Sequence, residues 1–225
     1  LVVKSRTDLG EHKRPYAHEH SPIKDFAVAI EALRPTAIIG VAAVANTFTP
    51  KVLQLMAEID ERPIVFALSN PTSKAECTPE QAYAWSRGQA IFASGSPFRP
   101  VTYAGHEFHP RQGNNAYVFP GIGLGVIACR ARRIPEEIFL TAARTLADLV
   151  TAQDLQRGSL YPPLRDIRRI SLAIATNVAE AVYAMKLARA ETSIQRDSDA
   201  FGTLGEIAGF VFTLAAGAVV AGPAG

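Results

Sequence analysis

Short apolar runs alternate with amphipathic helical segments through residues 1–94, and this alternation constrains the fold more than any other feature of the chain. The predicted strands are Leu1–Lys4, Ala37–Val41, Ile64–Leu68 and Ala90–Ser94. The predicted helices between them are Ile23–Leu33, Pro50–Ile59 and a segment from Thr78 to about Arg87. Because the strands are continuously apolar, they are typical of a parallel sheet covered on both faces. The order therefore predicts an α/β fold with a partial doubly wound, Rossmann-like parallel sheet.

The pattern changes after Ser94. Residues 95–114 are predicted as a polar loop, with a candidate hairpin at Ala104-Gly105, and the remainder as C-terminal helices. These helices are Ala116–Ala131, Pro135–Val150 and Ile167–Leu187. We expect one domain over residues 1–188 and an extra tail over 189–225.

The end of that tail, Ile207–Gly225, contains no charged residue and is rich in Ala and Gly. It approaches the length of a membrane span, but its glycines and Pro223 make it a poor helix. A membrane span, a docking tail and a sequence foreign to the domain are the three interpretations. We favour the last, so a membrane partner is not expected.

The charge balance gives no reason to expect nucleic acid or an acidic membrane as a partner. Lys and Arg number 23 against 21 for Asp and Glu, a formal net charge of +2. Cys77 and Cys129 are the only cysteines. They form neither a disulfide framework nor a zinc motif, and they fit a reducing compartment.

The turns after the predicted strands carry small or amide residues, and ligands of open α/β sheets bind beyond such strand ends. Three turns qualify: Gly40-Val41-Ala42-Ala43, Ser69-Asn70-Pro71-Thr72 and Ser94-Gly95-Ser96-Pro97. Small residues let a flat cofactor ring approach the backbone. Asn70 offers a donor and an acceptor to an amide, carboxylate or hydroxyl. The alternative for Asn70 is turn chemistry, since Asn before Pro favours a turn.

Asn114 and Asn115 stand where a loop enters a predicted helix. An Asn at a helix start is often an N-cap. With two in a row, one Asn can cap the helix while the other faces a ligand. Tyr117, Phe119 and Pro120 would then wall the pocket.

Gly121-Ile-Gly123-Leu-Gly125 is similar to a glycine-rich phosphate loop, but residue 126 is Val, so the G-x-G-x-x-G spacing is missing. No parallel strand immediately precedes it. Close packing between helices is therefore the favoured interpretation.

Two histidine pairs, His18-Glu19-His20 and His106-Glu-Phe-His109, lie on predicted loops without nearby cysteines. A metal pair would need further ligands to converge on them. We favour solvent-exposed histidines at both places.

Several longer segments, in matching order and spacing, resemble the malic enzyme family. They are ERPIVFALSNPTSKAECT (Glu61–Thr78), AIFASGSPF (Ala90–Phe98), GNNAYVFPG (Gly113–Gly121) and LYPPL (Leu160–Leu164). The resemblance runs from Leu1 to about Ala188. It covers only the carboxyl-terminal part of a malic enzyme, which is more than twice as long as this chain.

The resemblance implies oxidative decarboxylation of L-malate to pyruvate and CO2, with reduction of NADP or NAD. It implies Mn²⁺ or Mg²⁺ as a Lewis acid, a homotetramer, and a cytoplasmic location with the mitochondrion as the alternative. It implies that Asn70, Asn114 and Asn115 face malate and the nicotinamide end of the cofactor. The residues implied to line the cofactor path, beside Asn70, are Gly40, Val41, Ala42, Leu68 and Ser69.

Lys13 stands before the segment Tyr16-Ala17-His18-Glu19. In NADP-dependent members of the resembled family, a Lys at that place can meet the extra ribose phosphate. An ammonium group suits a phosphate, which favours NADP over NAD. The alternative is an ordinary solvated lysine.

The sequence also departs from the family pattern. Val44-Ala45-Asn46 stands where the family is rich in Gly, so added Cβ atoms are expected to narrow the cofactor path or strain the turn. Arg99 stands where an Asp is common.

The resemblance places the general acid Tyr, the general base Lys, the metal ligands and the G-x-G-x-x-G loop upstream of Leu1. The chain has no initiator Met, and we expect it to be part of a longer polypeptide. By itself it is expected to be inactive. The alternative is a truncated, non-catalytic module that binds a dinucleotide or another subunit.

Overall fold

The computed structural model describes residues 1–189, and every structural statement below concerns that part of the chain. The chain divides into two compact units, Leu1–Gly113 and a second that begins at Asn114. The sequence did not predict a division at this point. Each unit is described by itself.

The first unit is built on a parallel three-stranded sheet, as predicted. Its strands are β1 (Ala37–Gly40), β2 (Ile64–Ala67) and β3 (Ile91–Ser94), in the spatial order β1-β2-β3. Ala37 lies beside Ile64, and Ile64 beside Ile91, so the three carboxyl ends meet at one edge. The helices are α1 (Phe26–Leu33), α2 (Pro50–Ile59) and α3 (Pro79–Trp85). The predicted Rossmann-like fold class is confirmed.

Side-chain caps start these helices. Thr49 caps α2 by accepting a hydrogen bond from the Val52 N–H at 3.4 Å, with Pro50 at the first helical position. Thr78 and Gln81 form a reciprocal capping box at α3. Asp25 caps α1, which therefore begins three residues later than the predicted Ile23.

The two faces of the sheet are covered unequally within residues 1–189, whereas the sequence predicts cover on both: in the row Ile39-Phe66-Ala93, Ala93 is buried, Phe66 is half-buried and Ile39 is exposed. Ile38 and its partner Val65 on the neighbouring strand are buried in the core, whereas Ile39, the next residue of β1 and on the opposite face, is 60% exposed. The reason is topological. Consecutive right-handed crossovers in the order β1-β2-β3 place α2 and α3 on the same face.

The segment before α1 differs in detail from the prediction. Leu1–Lys4 is not a regular strand: Val3 is fully buried but forms only an isolated bridge to His18. The polar segment that follows contains a 3-10 helix, Glu11–Tyr16.

The predicted hairpin is present, with strands β4 (Val101–Tyr103) and β5 (His106–Phe108). Ala104 and Gly105 both have positive φ, 49° and 80°, as a two-residue type I′ turn requires.

The second unit is helical, as predicted. Its helices are α4 (Phe119–Ala128), α5 (Glu136–Asp148), α6 (Ala152–Gln156) and α7 (Ile167–Ala184). The short α6 was not predicted. Thr151 and Asp154 form its capping box, which stabilises a helix too short for an apolar periodicity to be visible.

Gly121 and Gly125 of α4 serve close packing against α7, as predicted. A Cβ on Gly121 would lie 2.7 Å from the Cβ of Ile174, and one on Gly125 would lie 2.8 Å from the Ala175 carbonyl oxygen. A Cβ on Gly123 would have no heavy atom within 4 Å. Two of the three glycines therefore let the helix backbones approach.

The predicted tail over 189–225, including Ile207–Gly225, lies almost wholly outside the described residues. Within residues 1–189, no helix combines the length and the apolar character needed to cross a membrane.

Candidate functional site at the carboxyl ends of the strands

The carboxyl edge of the sheet brings two of the predicted cofactor-lining turns next to each other. The Leu68 N–H donates to the Gly40 carbonyl at 2.9 Å, so the chain leaving β2 continues beside the end of β1. Gly40 and Ser69 are buried, whereas Val41, Ala42 and Asn70 are exposed. The edge thus presents exposed side chains on a backbone that is anchored in the core.

The loop after β1 exposes apolar surface and carries backbone strain. Val41 is 70% exposed and Val44 is 55% exposed. Ala43 and Asn46 have positive φ, 54° and 59°, in the left-handed region that disfavours side chains with a Cβ. Asn adopts this region more readily than other side chains, so the strain lies at Ala43, just before the Val44-Ala45-Asn46 segment for which it was expected.

Ser69 and Glu76 form a buried hydrogen-bonded pair at this edge. The Ser69 hydroxyl donates to Glu76 Oε1, and the Ser69 N–H donates to Glu76 Oε2 at 3.3 Å. The Ser69 Oγ in turn accepts from the Ala43 N–H at 2.9 Å. Sequence reasoning missed Glu76, because a lone Glu in a polar turn is ordinarily solvated.

The missing side chain of Gly40 makes room for Glu76. A Cβ on Gly40 would lie 2.7 Å from Glu76 Oε1 and closer still to its Cγ and Cδ. The small residues here were predicted to let a cofactor approach the backbone. At Gly40 the protein's own carboxylate occupies the space, so any cofactor contact at this residue is a backbone contact.

The end of β3 is packed as closely. A Cβ on Gly95 would fall on the Leu68 carbonyl oxygen and lie 2.5 Å from the Leu68 carbonyl carbon. Gln112 Nε2 donates to the Gly95 carbonyl at 2.9 Å. The third turn is therefore bound to the second by backbone contact.

Asn70 is exposed directly beyond β2, before a cis Asn70–Pro71 peptide bond. Within residues 1–189 its side chain makes no hydrogen bond, so the amide is not used to hold the turn. Its predicted contact with a ligand stays a prediction.

Cys77 follows Glu76 and is fully buried. Burial, with a smaller contribution from the Glu76 carboxylate, raises the pKa of the Cys77 thiol to about 12. Cys77 is therefore a protonated thiol at neutral pH, not a nucleophile.

Asn114 and Asn115 begin the second unit, and the structure separates their roles. The Asn114 side chain caps a 3-10 helix, Asn115–Tyr117, by accepting from the Ala116 N–H at 2.9 Å. Asn115 is exposed and its side chain makes no hydrogen bond within residues 1–189. The prediction of one capping residue is confirmed, and the ligand-facing role of the pair stays a prediction.

Two of the three residues predicted to wall a pocket, Tyr117 and Pro120, are buried, and Tyr117 packs in the core of the second unit, so the wall stays a prediction. The Tyr117 hydroxyl donates to the Pro162 carbonyl at 2.7 Å, and its ring stacks on Tyr161. This aromatic core forms because the helix entry packs on the Tyr161-Pro162-Pro163 segment. Only Phe119 is exposed, at 55%.

Lys13 lies in the 3-10 helix before α1, and its side chain is exposed. His109 Nε2 contacts Glu107 at 2.9 Å, and the His106 ring packs on Phe108. Within the described part of the chain, no group of three or more His, Cys, Asp or Glu is placed to hold a metal ion.

Comparisons with known proteins give the family. Residues 1–183 match the family described as the malic enzyme NAD-binding domain. The chain is 51% identical to the NADP-dependent malic enzymes of Mus musculus and of Homo sapiens, over 84% of this chain and 33% of each relative. It is 49% identical to the NADP-dependent malic enzyme of Vitis vinifera, over 84% of this chain and 32% of that protein. The chain thus spans about a third of the length of these curated relatives.

Solved structures agree on the fold. The malic enzyme of Entamoeba histolytica matches with a TM-score of 0.65 and 22% identity, covering 98% of this chain and 43% of that one. The malic enzyme of Pyrococcus horikoshii matches with a TM-score of 0.55 and 24% identity, covering 82% of this chain and 36% of that one. With the sequence match over residues 1–183, this chain belongs to the family of malic enzyme NAD-binding domains.

Proposed function

We propose that this chain supplies the dinucleotide-binding part of an enzyme that oxidises and decarboxylates L-malate to pyruvate and CO2 with NADP. The observation that carries the proposal is the match of residues 1–183 to the family domain, together with about 50% identity to enzymes named NADP-dependent. The proposal includes the homotetramer and the cytoplasmic location that the family resemblance implies.

The carboxyl edge of the sheet fits a dinucleotide. Val41 and Val44 expose apolar surface there, which suits the face of a nicotinamide or adenine ring. Backbone at Gly40, Ala42, Leu68 and Ser69 would line the path. When bound, the cofactor accepts the hydride from the substrate.

The amides of Asn70 and Asn115 would bind and orient the reactants. Each offers a donor and an acceptor, and neither is used in a hydrogen bond within residues 1–189, so both are available to a carboxamide, a carboxylate or a hydroxyl. Asn114 keeps its Nδ2 donors for a ligand, because only its Oδ1 is used in the cap. Orientation of the hydroxyl-bearing carbon toward the cofactor is the contribution we assign to these side chains.

The metal ion does not fit residues 1–189, where no suitable ligand cluster occurs. In the proposal the ligands come from outside this sequence, as the resemblance implies.

The direct test is an assay of the full polypeptide that the natural gene encodes. Malate, NADP⁺ and Mg²⁺ are expected to yield NADPH, pyruvate and CO2 in equal amounts, measured by absorbance and by trapped CO2. A matched reaction with chelator is the control. Formation of oxaloacetate without CO2, or dinucleotide binding without turnover, would contradict the proposal; the latter would favour the non-catalytic module.

Lys13→Gln in the same polypeptide tests the choice of cofactor. If the Lys13 ammonium meets the 2′-phosphate, the substitution should raise the KM for NADP⁺ about tenfold and leave the KM for NAD⁺ nearly unchanged, because NAD⁺ lacks that phosphate. Lys24→Gln removes another exposed lysine of the first unit and should change neither value. Equal effects of Lys13→Gln on both cofactors would refute the role.

A further inference from the structure

Glu76 is the one buried charged side chain within residues 1–189, at 1% exposure. No cation of the described chain pairs with it. A buried carboxylate without a counter-charge is costly unless it is hydrogen-bonded, and both of its hydrogen bonds come from Ser69. Glu76 and Ser69 are thus held together as a pair.

The pair reaches across to the loop after β1. The Ser69 Oγ that donates to Glu76 also accepts from the Ala43 N–H at 2.9 Å. Ala43 has a φ of 54°, a conformation that alanine rarely adopts on its own. The hydrogen bond from Ala43 therefore helps to hold strained backbone in place.

Two further hydrogen bonds tie the same loop to the segment that carries Glu76. The Asn46 N–H donates to the Ala75 carbonyl and the Phe48 N–H to the Glu76 carbonyl, both at 3.1 Å. Gly40 leaves the space that the Glu76 carboxylate fills. Side chain and backbone of Glu76 together fix residues 40–48 relative to the turn after β2.

We propose that Glu76 is a positioning residue for dinucleotide binding: through Ser69 it holds the β1–α2 loop and the turn after β2 in the arrangement that the cofactor meets. This inference rests on the proposed function. Glu76 is too deeply buried to touch a ligand. Its effect passes through Ser69 and Ala43 to the exposed residues that follow them, Asn70 and Val44.

The test is the affinity for NADP⁺, measured by titration calorimetry on the full polypeptide that the natural gene encodes. Glu76→Gln replaces one of the two acceptor oxygens by an amide donor, so the Ser69 hydroxyl and the Ser69 N–H can no longer each donate to an oxygen of their own. We expect the Kd for NADP⁺ to rise about tenfold, while kcat at saturating NADP⁺ stays within about twofold. Ser69→Ala should raise the Kd similarly, and the double variant should raise it no further than the larger single effect, because both act in one network.

Ser86→Ala is the matched control. Ser86 is also fully buried and accepts a backbone hydrogen bond, from the Ala90 N–H at 3.1 Å, but it precedes β3 at the opposite edge of the sheet. Ser86→Ala should lower the thermal midpoint of unfolding and leave the Kd for NADP⁺ unchanged. If Glu76→Gln lowers only the midpoint in the same way, the positioning role is refuted. If Glu76→Gln does not fold, the Kd of Ser69→Ala for NADP⁺ decides whether the pair positions the cofactor site. A wild-type protein that binds no NADP⁺ would overturn the proposed function instead.

Discussion

Gly95→Ala is expected to destabilise the first unit by about 3 kcal/mol, at the upper end of overpacking effects. The added Cβ would fall on the Leu68 carbonyl oxygen, 2.5 Å from the carbonyl carbon. Both are backbone atoms, so no side-chain rotation can relieve the overlap. The ends of β2 and β3 would have to separate, which would weaken the hydrogen bond from the Gly95 N–H to the Ala67 carbonyl, now 2.8 Å.

Urea unfolding of the 225-residue chain, followed by tryptophan fluorescence, measures this effect. Trp85 is the only tryptophan, and it packs against the core of the first unit. Gly10→Ala is the control: its Cβ would meet only the ring of the exposed His12, at 3.0 Å, and the ring can turn away. We expect that variant within about 0.5 kcal/mol of wild type. An unchanged midpoint for Gly95→Ala would show that the strand ends are not packed as described.

Gly121→Ala and Gly123→Ala are expected to have opposite effects, although they lie two residues apart in one helix. At Gly121 the Cβ would lie 2.7 Å from the Ile174 Cβ and 2.8 Å from the Ser171 carbonyl oxygen. Separation of α4 from α7 should cost about 2 kcal/mol net, since overpacking outweighs the gain in helix propensity. At Gly123 nothing lies within 4 Å, so Ala should stabilise the helix by about 0.5–1 kcal/mol.

Far-UV circular dichroism during unfolding follows this pair, because the second unit is helical. The comparison separates packing from propensity, since the two substitutions add the same atom to the same helix. Stabilisation by both would mean that α4 and α7 are not in close contact. Destabilisation by both would mean that Gly123 is also packed.

Local features of the sequence determined most of the secondary structure. The helix Pro50–Ile59 was predicted at both ends, because its apolar period and its Thr49 cap act within a few residues. The turn at Ala104-Gly105 was predicted for the same reason. The short 3-10 helices and α6 were missed, since they are held by caps rather than by a repeating apolar face.

Family membership was also accessible from sequence, through motifs that do not depend on contacts between distant residues. The candidate site was accessible only in part. The turns at Gly40 and Ser69 were predicted as ligand-binding positions, because ligands of open α/β sheets bind beyond the carboxyl ends of the strands. The contribution of Glu76 was not, because its environment depends on Ser69, seven residues away, and on Gly40, on another strand.

Sequence alone thus determined most of the elements, the parallel arrangement of β1, β2 and β3 and the family, since periodicity, caps and turns are local. Only the tertiary structure decided which face of the sheet is covered, that Tyr117 belongs to a core, and what fills the space at Gly40. The physical reason is that burial and hydrogen bonding are properties of a residue's neighbours in space. A carboxylate in a polar turn is ordinarily solvated. Glu76 is buried and hydrogen-bonded to Ser69 only because Gly40 of β1 leaves room for it.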